Sequence, residues 1–139
     1  MGRYAKFTTG YEYKFSFGVQ PSRDIETFGG ETDDEVISYD EQYDHSIICH
    51  WKWCAERDIN QVLEEVKRLG IKLPDFEKYD KSREGTHDLL MNMKIDFENN
   101  ENKENKPKSY LEISRFRLGC AIYHQLLYTS VLKAEYNLV

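Results

Sequence analysis

The sequence predicts one α+β domain, in which an antiparallel sheet packs against two helices, one of them a long apolar helix near the C-terminus. Three observations carry that expectation. Residues 11–19 alternate strictly, with Tyr11, Tyr13, Phe15, Phe17 and Val19 on one side and Glu12, Lys14 and Ser16 on the other, the period of a half-buried strand. Leu89, Met91, Met93, Ile95 and Phe97 repeat that period and predict a second such strand. Residues 109–136 place Leu111, Leu118, Ile122, Leu126 and the Leu127/Val131 pair at helical spacing, and Phe116, Cys120, Tyr123 and Tyr128 widen the apolar face. A helix apolar over so much of its circumference is either central to a core or shared with another subunit.

The remaining elements follow in chain order. Tyr4–Phe7 reads as a short extended lead-in, and Pro21 closes the aromatic strand because it lacks the donor a ladder needs. Residues 24–44 hold nine carboxylates and no Lys or Arg, with Gly29-Gly30 inside, which predicts a long exposed acidic loop with a short strand near Val36–Tyr39. Residues 45–53 fit a strand with His45, Ile47, Cys49, Trp51 and Trp53 on one face, or a helix continuing into the next segment; the strand is preferred because Asp58, with Gln61 three residues on, looks like a fresh helix start. The helix 59–69 has a clear apolar stripe and stops at Gly70. Residues 99–108 (NNENKENKPK) read as a polar, mobile loop.

At 139 residues the chain fits one domain able to bury a core without staples. Three cysteines cannot pair completely, and neither an apolar leader nor an Asn-x-Ser/Thr sequon is seen, so free thiols in a reducing compartment are expected. No stretch approaches the roughly 20 apolar residues of a membrane span, and no membrane partner is expected. The formal charge of −6 lies wholly in residues 1–63, which carry 6 basic against 12 acidic side chains. That excess disfavours general nucleic-acid binding. The aromatic stripe of residues 11–19 is accordingly expected to line a core rather than to stack bases.

For chemistry, the sharpest pattern is a Cys/His set. Cys120 and His124 are four apart, His50 and Cys54 repeat the spacing in reverse, and two thiolates with two imidazoles would suit tetrahedral zinc. Opposing this, free cysteine is commonly buried as a small hydrophobe. The acidic run lacks the ligand spacing of a calcium loop, and reads as a solvated or docking surface. The Glu-x-Lys triplets at 101–103 and 104–106 fall in the polar loop, where a metal nuclease could not hold its carboxylates. No P-loop, Gly-x-Ser-x-Gly elbow or dinucleotide motif is present. A catalytic role is not expected.

The opening GRYAKFTTGYEYKFSFGVQPS (residues 2–22), with its Thr-Gly-x-Glu-Tyr-Lys-Phe core, together with Trp51-Lys52-Trp53-Cys54, resembles small uncharacterised proteins of giant (nucleocytoplasmic large) DNA viruses. The resemblance implies expression in the infected host cytoplasm or viral factory and packaging in the virion, and carries over no functional residue. The resulting expectation is a non-enzymatic protein that acts through contacts with itself, as a homodimer, and with other viral or host proteins. The alternative is a zinc-binding enzyme or nucleic-acid factor built on His50, Cys54, Cys120 and His124.

Overall fold

The computed structural model describes the backbone of residues 4–7, 12–14, 27–32, 38–39, 47–99 and 110–138, and the side chains of 27–31, 50–97 and 112–134. In chain order the elements are strands β1 (Tyr4–Phe7), β2 (Glu12–Lys14), β3 (Glu31–Thr32), β4 (Ser38–Tyr39) and β5 (Ile47–Cys54), helix α1 (Ala55–Arg68), a single 3-10 turn (Phe76–Lys78), helices α2 (Arg83–Asn99) and α3 (Tyr110–Tyr128), and strand β6 (Val131–Leu138). This is the expected α+β class. Every pairing among the described strands is antiparallel and the order is β2-β1-β6-β5-β3, with β4 also pairing β5 directly, at Ile47 and Ile48, where β3 pairs it at Trp51 and Lys52.

The long pair β5–β6 runs in register from Cys54 opposite Val131 to Ile47 opposite Leu138. Trp51, Trp53, Leu132 and Ala134 are buried, whereas Lys52, Val131 and Lys133 are exposed. Period-two alternation therefore gives the sheet one face against the helices and one face that no described element covers. The strand reading of residues 45–53 holds over the described residues, with both tryptophans inward; His45 lies outside them.

Helix α1 begins at Ala55, earlier than the expected Asp58, because Asp58 acts from within the first turn. Its Oδ2 reaches back and accepts from the N–H of the N-cap residue Cys54 at 2.9 Å, while the Cys54 side chain itself makes no cap hydrogen bond. Burial alone would raise the Asp58 carboxyl, but the Arg57 guanidinium (Nε to Oδ1, 2.8 Å) and the Cys54 N–H outweigh it and hold the group below its ordinary value. The Ala55 N–H donates to the Ser130 carbonyl at 2.9 Å and joins this helix start to the turn before β6. At the other end Gly70, at φ +70°, terminates the helix as expected.

Three expectations are corrected. Residues 89–97 form the middle of α2, not a strand. The buried positions Thr86, Leu89, Leu90 and Met93 recur at three- and four-residue intervals, and Leu, Met, Lys and Glu favour helix over strand. The expected long helix 109–136 ends at Tyr128. There the Thr129 hydroxyl and N–H both bond the Gln125 carbonyl (2.9 and 3.0 Å), and the chain turns into β6. Helix α3 is buried on most sides, but Ser114, His124 and Gln125 are among its buried residues, so it is central without being uniformly apolar. The helical part thus has three helices, not two; α1 and α3 contact the sheet, and α2 packs on α3.

The core centres on α3, between α1, α2 and β6. Phe28 is 0% exposed despite lying in the acidic run, where an exposed loop was expected. Its carbonyl accepts from Trp53 Nε1 at 3.0 Å, and its ring lies so close to α3 that a methyl group on Gly119 would come within 2.5 Å of it and within 2.6 Å of Val66 Cγ2. Only glycine fits there. Of the other expectations, Tyr11, residues 15–19 of the aromatic strand and residues 100–108 of the polar loop lie outside the described residues.

Candidate functional site

Helix α2 has two working faces. Its start is set by Ser82, whose Oγ accepts from the Gly85 N–H at 3.0 Å in the manner of an N-cap. That cap fixes the register that turns Thr86 inward toward α3. Thr86 Oγ1 lies 2.5 Å from His124 Nδ1, accepts from Gln125 Nε2 at 3.0 Å, and lies 3.3 Å from the Ser82 carbonyl. All three side chains are buried.

Hydrogen-bond accounting constrains this node. A hydroxyl has one proton to donate, so Thr86 donates either to His124 Nδ1 or to the Ser82 carbonyl. In the first case the neutral imidazole carries its proton on Nε2; in the second, on Nδ1. In both, Nε2 is buried without a hydrogen-bond partner. Burial, followed by the nearby Lys81 charge, lowers the His124 pKa, and the backbone of Tyr79 and Asp80 and the Glu77 carboxylate oppose that shift without cancelling it. Neither backbone group meets hydrogen-bond geometry to Nε2, so the ring is held neutral by exclusion from water. The Tyr128 ring stands edge-on 5.9 Å away.

Residues 71–82 lie against this node. Ile71 is buried in the core, Phe76 meets Tyr123 edge-on at 4.8 Å, and Lys81 Nζ donates to the Phe76 carbonyl at 3.3 Å while approaching Glu77 at 3.5 Å. Outside the node, Lys78, Tyr79, Asp80, Asp88, Met91 and Asn92 line a shallow recess of about 290 Å³, across which Asn92 Nδ2 donates to the Tyr79 hydroxyl at 2.9 Å.

The outward arc of α2 borders this recess and carries Met91 at 42% and Ile95 at 49% exposure. These two residues sustained the alternation of 89–97; wound into a helix, they share one arc and leave the core to Leu89, Leu90 and Met93.

The sequence-derived zinc set is split by the sheet. His50 and Cys54 sit on the opposite parity of β5 from Trp51 and Trp53, hence on the uncovered face, whereas Cys120 and His124 lie in the helical layer. Cys120 and His124 do share a buried stretch of α3, but His124 engages Thr86 and burial pushes the Cys120 thiol well up. Among the described residues no three or more His, Cys, Asp or Glu side chains are grouped to hold a metal ion. Sequence reasoning missed Thr86, Gln125 and the recess. Reading 82–97 as a helix beginning at Ser82 would have placed Thr86, Leu89, Leu90, Met93 and Phe97 on one face and exposed the first of them.

Comparison with models of protein families, with curated proteins and with solved structures finds no match for this chain. No helix among the described residues is long and apolar enough to cross a membrane.

Proposed function

We propose that this is a non-enzymatic protein that acts through protein–protein contacts and associates with itself as a homodimer. The observation that supports the reading is the outward arc of α2, where Met91 and Ile95 stand exposed one turn apart beside a recess. Adjacent exposed apolar side chains bordering a concavity suit an interaction surface. Self-association through α3, the other route its apolar pattern allowed, has lost its basis, since α3 is enclosed within one chain. On the resemblance of residues 2–22, the proposed setting is the infected host cytoplasm or viral factory, with other viral or host proteins as further partners and the virion as a destination.

Sedimentation equilibrium over a wide concentration range tests the reading. A mass rising toward twice 16.5 kDa, and falling back in Ile95→Lys and Met91→Lys, is the expected result. A strictly monomeric mass at high concentration would refute the homodimer.

A further inference from the structure

The buried node beneath residues 71–82 has a property independent of any partner. We propose that His124 is a pH-sensitive latch, which holds residues 71–82 against α3 while the ring is neutral and releases them when it is protonated. The geometry supplies the mechanism. Neutral His124 satisfies Nδ1 through Thr86 and leaves Nε2 unpartnered under the Tyr79–Asp80 backbone. A protonated ring carries N–H groups at both nitrogens. Thr86 must then accept at Nδ1, and the second N–H faces only the Tyr79 and Asp80 backbone, which lies outside hydrogen-bond geometry and offsets the cost of burial only in part. A buried charge without a partner is expensive, and the ring reaches water only if the covering segment moves.

The charged groups about the ring reinforce this. Lys81 and Glu77 lie on the covering segment itself, Lys81 repelling and Glu77 attracting an imidazolium; α2 contributes the neutral Thr86, and α3 contributes Gln125 and Tyr128. Burial and Lys81 together prevail and depress the pKa of the closed state. In the released state the ring is in water, with an ordinary pKa of about 6.5. The sign follows directly: the latch is fully closed above that value and loosens as pH falls through it toward the closed-state pKa. Release must break the contacts that hold the segment to the helices: Ile71, Leu73, Phe76 and Tyr79 packed on the core, the Phe76–Tyr123 edge contact, the Asn92–Tyr79 hydrogen bond and the Ser82 bonds at the start of α2.

The test is amide hydrogen exchange of the full chain at pH 7.5 and 5.5, corrected for intrinsic rates. With an open-state pKa near 6.5 and a lower closed-state pKa, the opening equilibrium for residues 71–82 is expected to rise across that interval, by at most about tenfold, while β5 and α1 amides keep their protection. His124→Gln, which keeps a hydrogen-bonding side chain but no titration, is expected to lose the pH dependence. Equal change in all elements, or no change at 71–82, overturns the latch. Should His124→Gln fail to fold, NMR titration of the wild-type imidazole decides: a pKa at or above about 6.5 in the folded chain also overturns it.

Discussion

Helix α3 is packed differently on its two sides. Toward α1 it meets Val62, Val66 and the Phe28 ring across Gly119, an apolar contact so close that no side chain fits at that position. Toward α2 it packs beside Leu89, Leu90 and Met93 and meets Phe97 edge-on through Phe116, but the contact also holds a buried polar node, Thr86 bonded to His124 and Gln125 with one ring nitrogen left over. The first side specifies shape and is indifferent to pH; the second specifies donors and acceptors, and is sensitive to protons. A dry contact fails when volume changes, and a buried polar contact fails when its chemistry changes.

That contrast can be broken in order of expected effect. Trp53→Ala removes the indole that β5 buries and the donor to the Phe28 carbonyl, and is expected to cost about 3–5 kcal/mol in denaturant unfolding. Gly119→Ala drives a methyl into Phe28 and Val66 and is expected to cost about 1–3 kcal/mol, with no change in the pH profile of stability. Thr86→Val nearly preserves volume on the polar side but strips His124 and Gln125 of their shared partner; about 1–3 kcal/mol is expected, and a loss below 0.5 kcal/mol would erase the distinction between the two sides. His124→Gln is expected to flatten the thermal-stability profile between pH 7.5 and 5.5. In the wild type, stability should be full above about 6.5 and decline as pH falls through the closed-state pKa. Ile95→Lys, on the outward arc of α2, should change monomer stability by no more than about 0.5 kcal/mol while altering association, measured by sedimentation.

The same contrast explains what the sequence made legible. The dry side was readable where local pattern and tertiary burial agree: Val62, Val66 and the Gly70 stop mark α1, and the alternation around Trp51 and Trp53 marks β5. Phe28 was not, because a single aromatic residue in an acidic run has no period, and its burial depends on Gly119, far along the chain. The polar side was hidden by an ambiguity of period. Leu89, Met91, Met93, Ile95 and Phe97 alternate as in a strand, but Leu90 between them is buried and Met91 and Ile95 are not, which only the helix satisfies. Strand β6 was concealed in the opposite way. Leu132, Ala134, Tyr136 and Leu138 alternate with Lys133, Glu135 and Asn137, yet Val131 also continues the spacing of α3, and no glycine or proline marks the boundary at Thr129. The zinc set shows the limit of spacing alone, since a four-residue interval on a strand and one on a helix lie here on opposite sides of a sheet.

The position of β6 has a consequence for the order in which this molecule can be assembled. It follows every other described element, yet it lies between β1 and β5 and pairs with both, Phe7 opposite Ala134 and Trp51 opposite Ala134 from its two edges. A ribosome making this protein releases β1 and β2 first, and they then wait for more than a hundred residues to be synthesised before their neighbour exists. Until β6 arrives, the inward edge of β1 and the facing edge of β5 both present unpaired backbone. The pairings it completes span most of the described residues, so closing the sheet is expected to be the slow step of folding, and the nascent protein carries open strand edges until β6 is made.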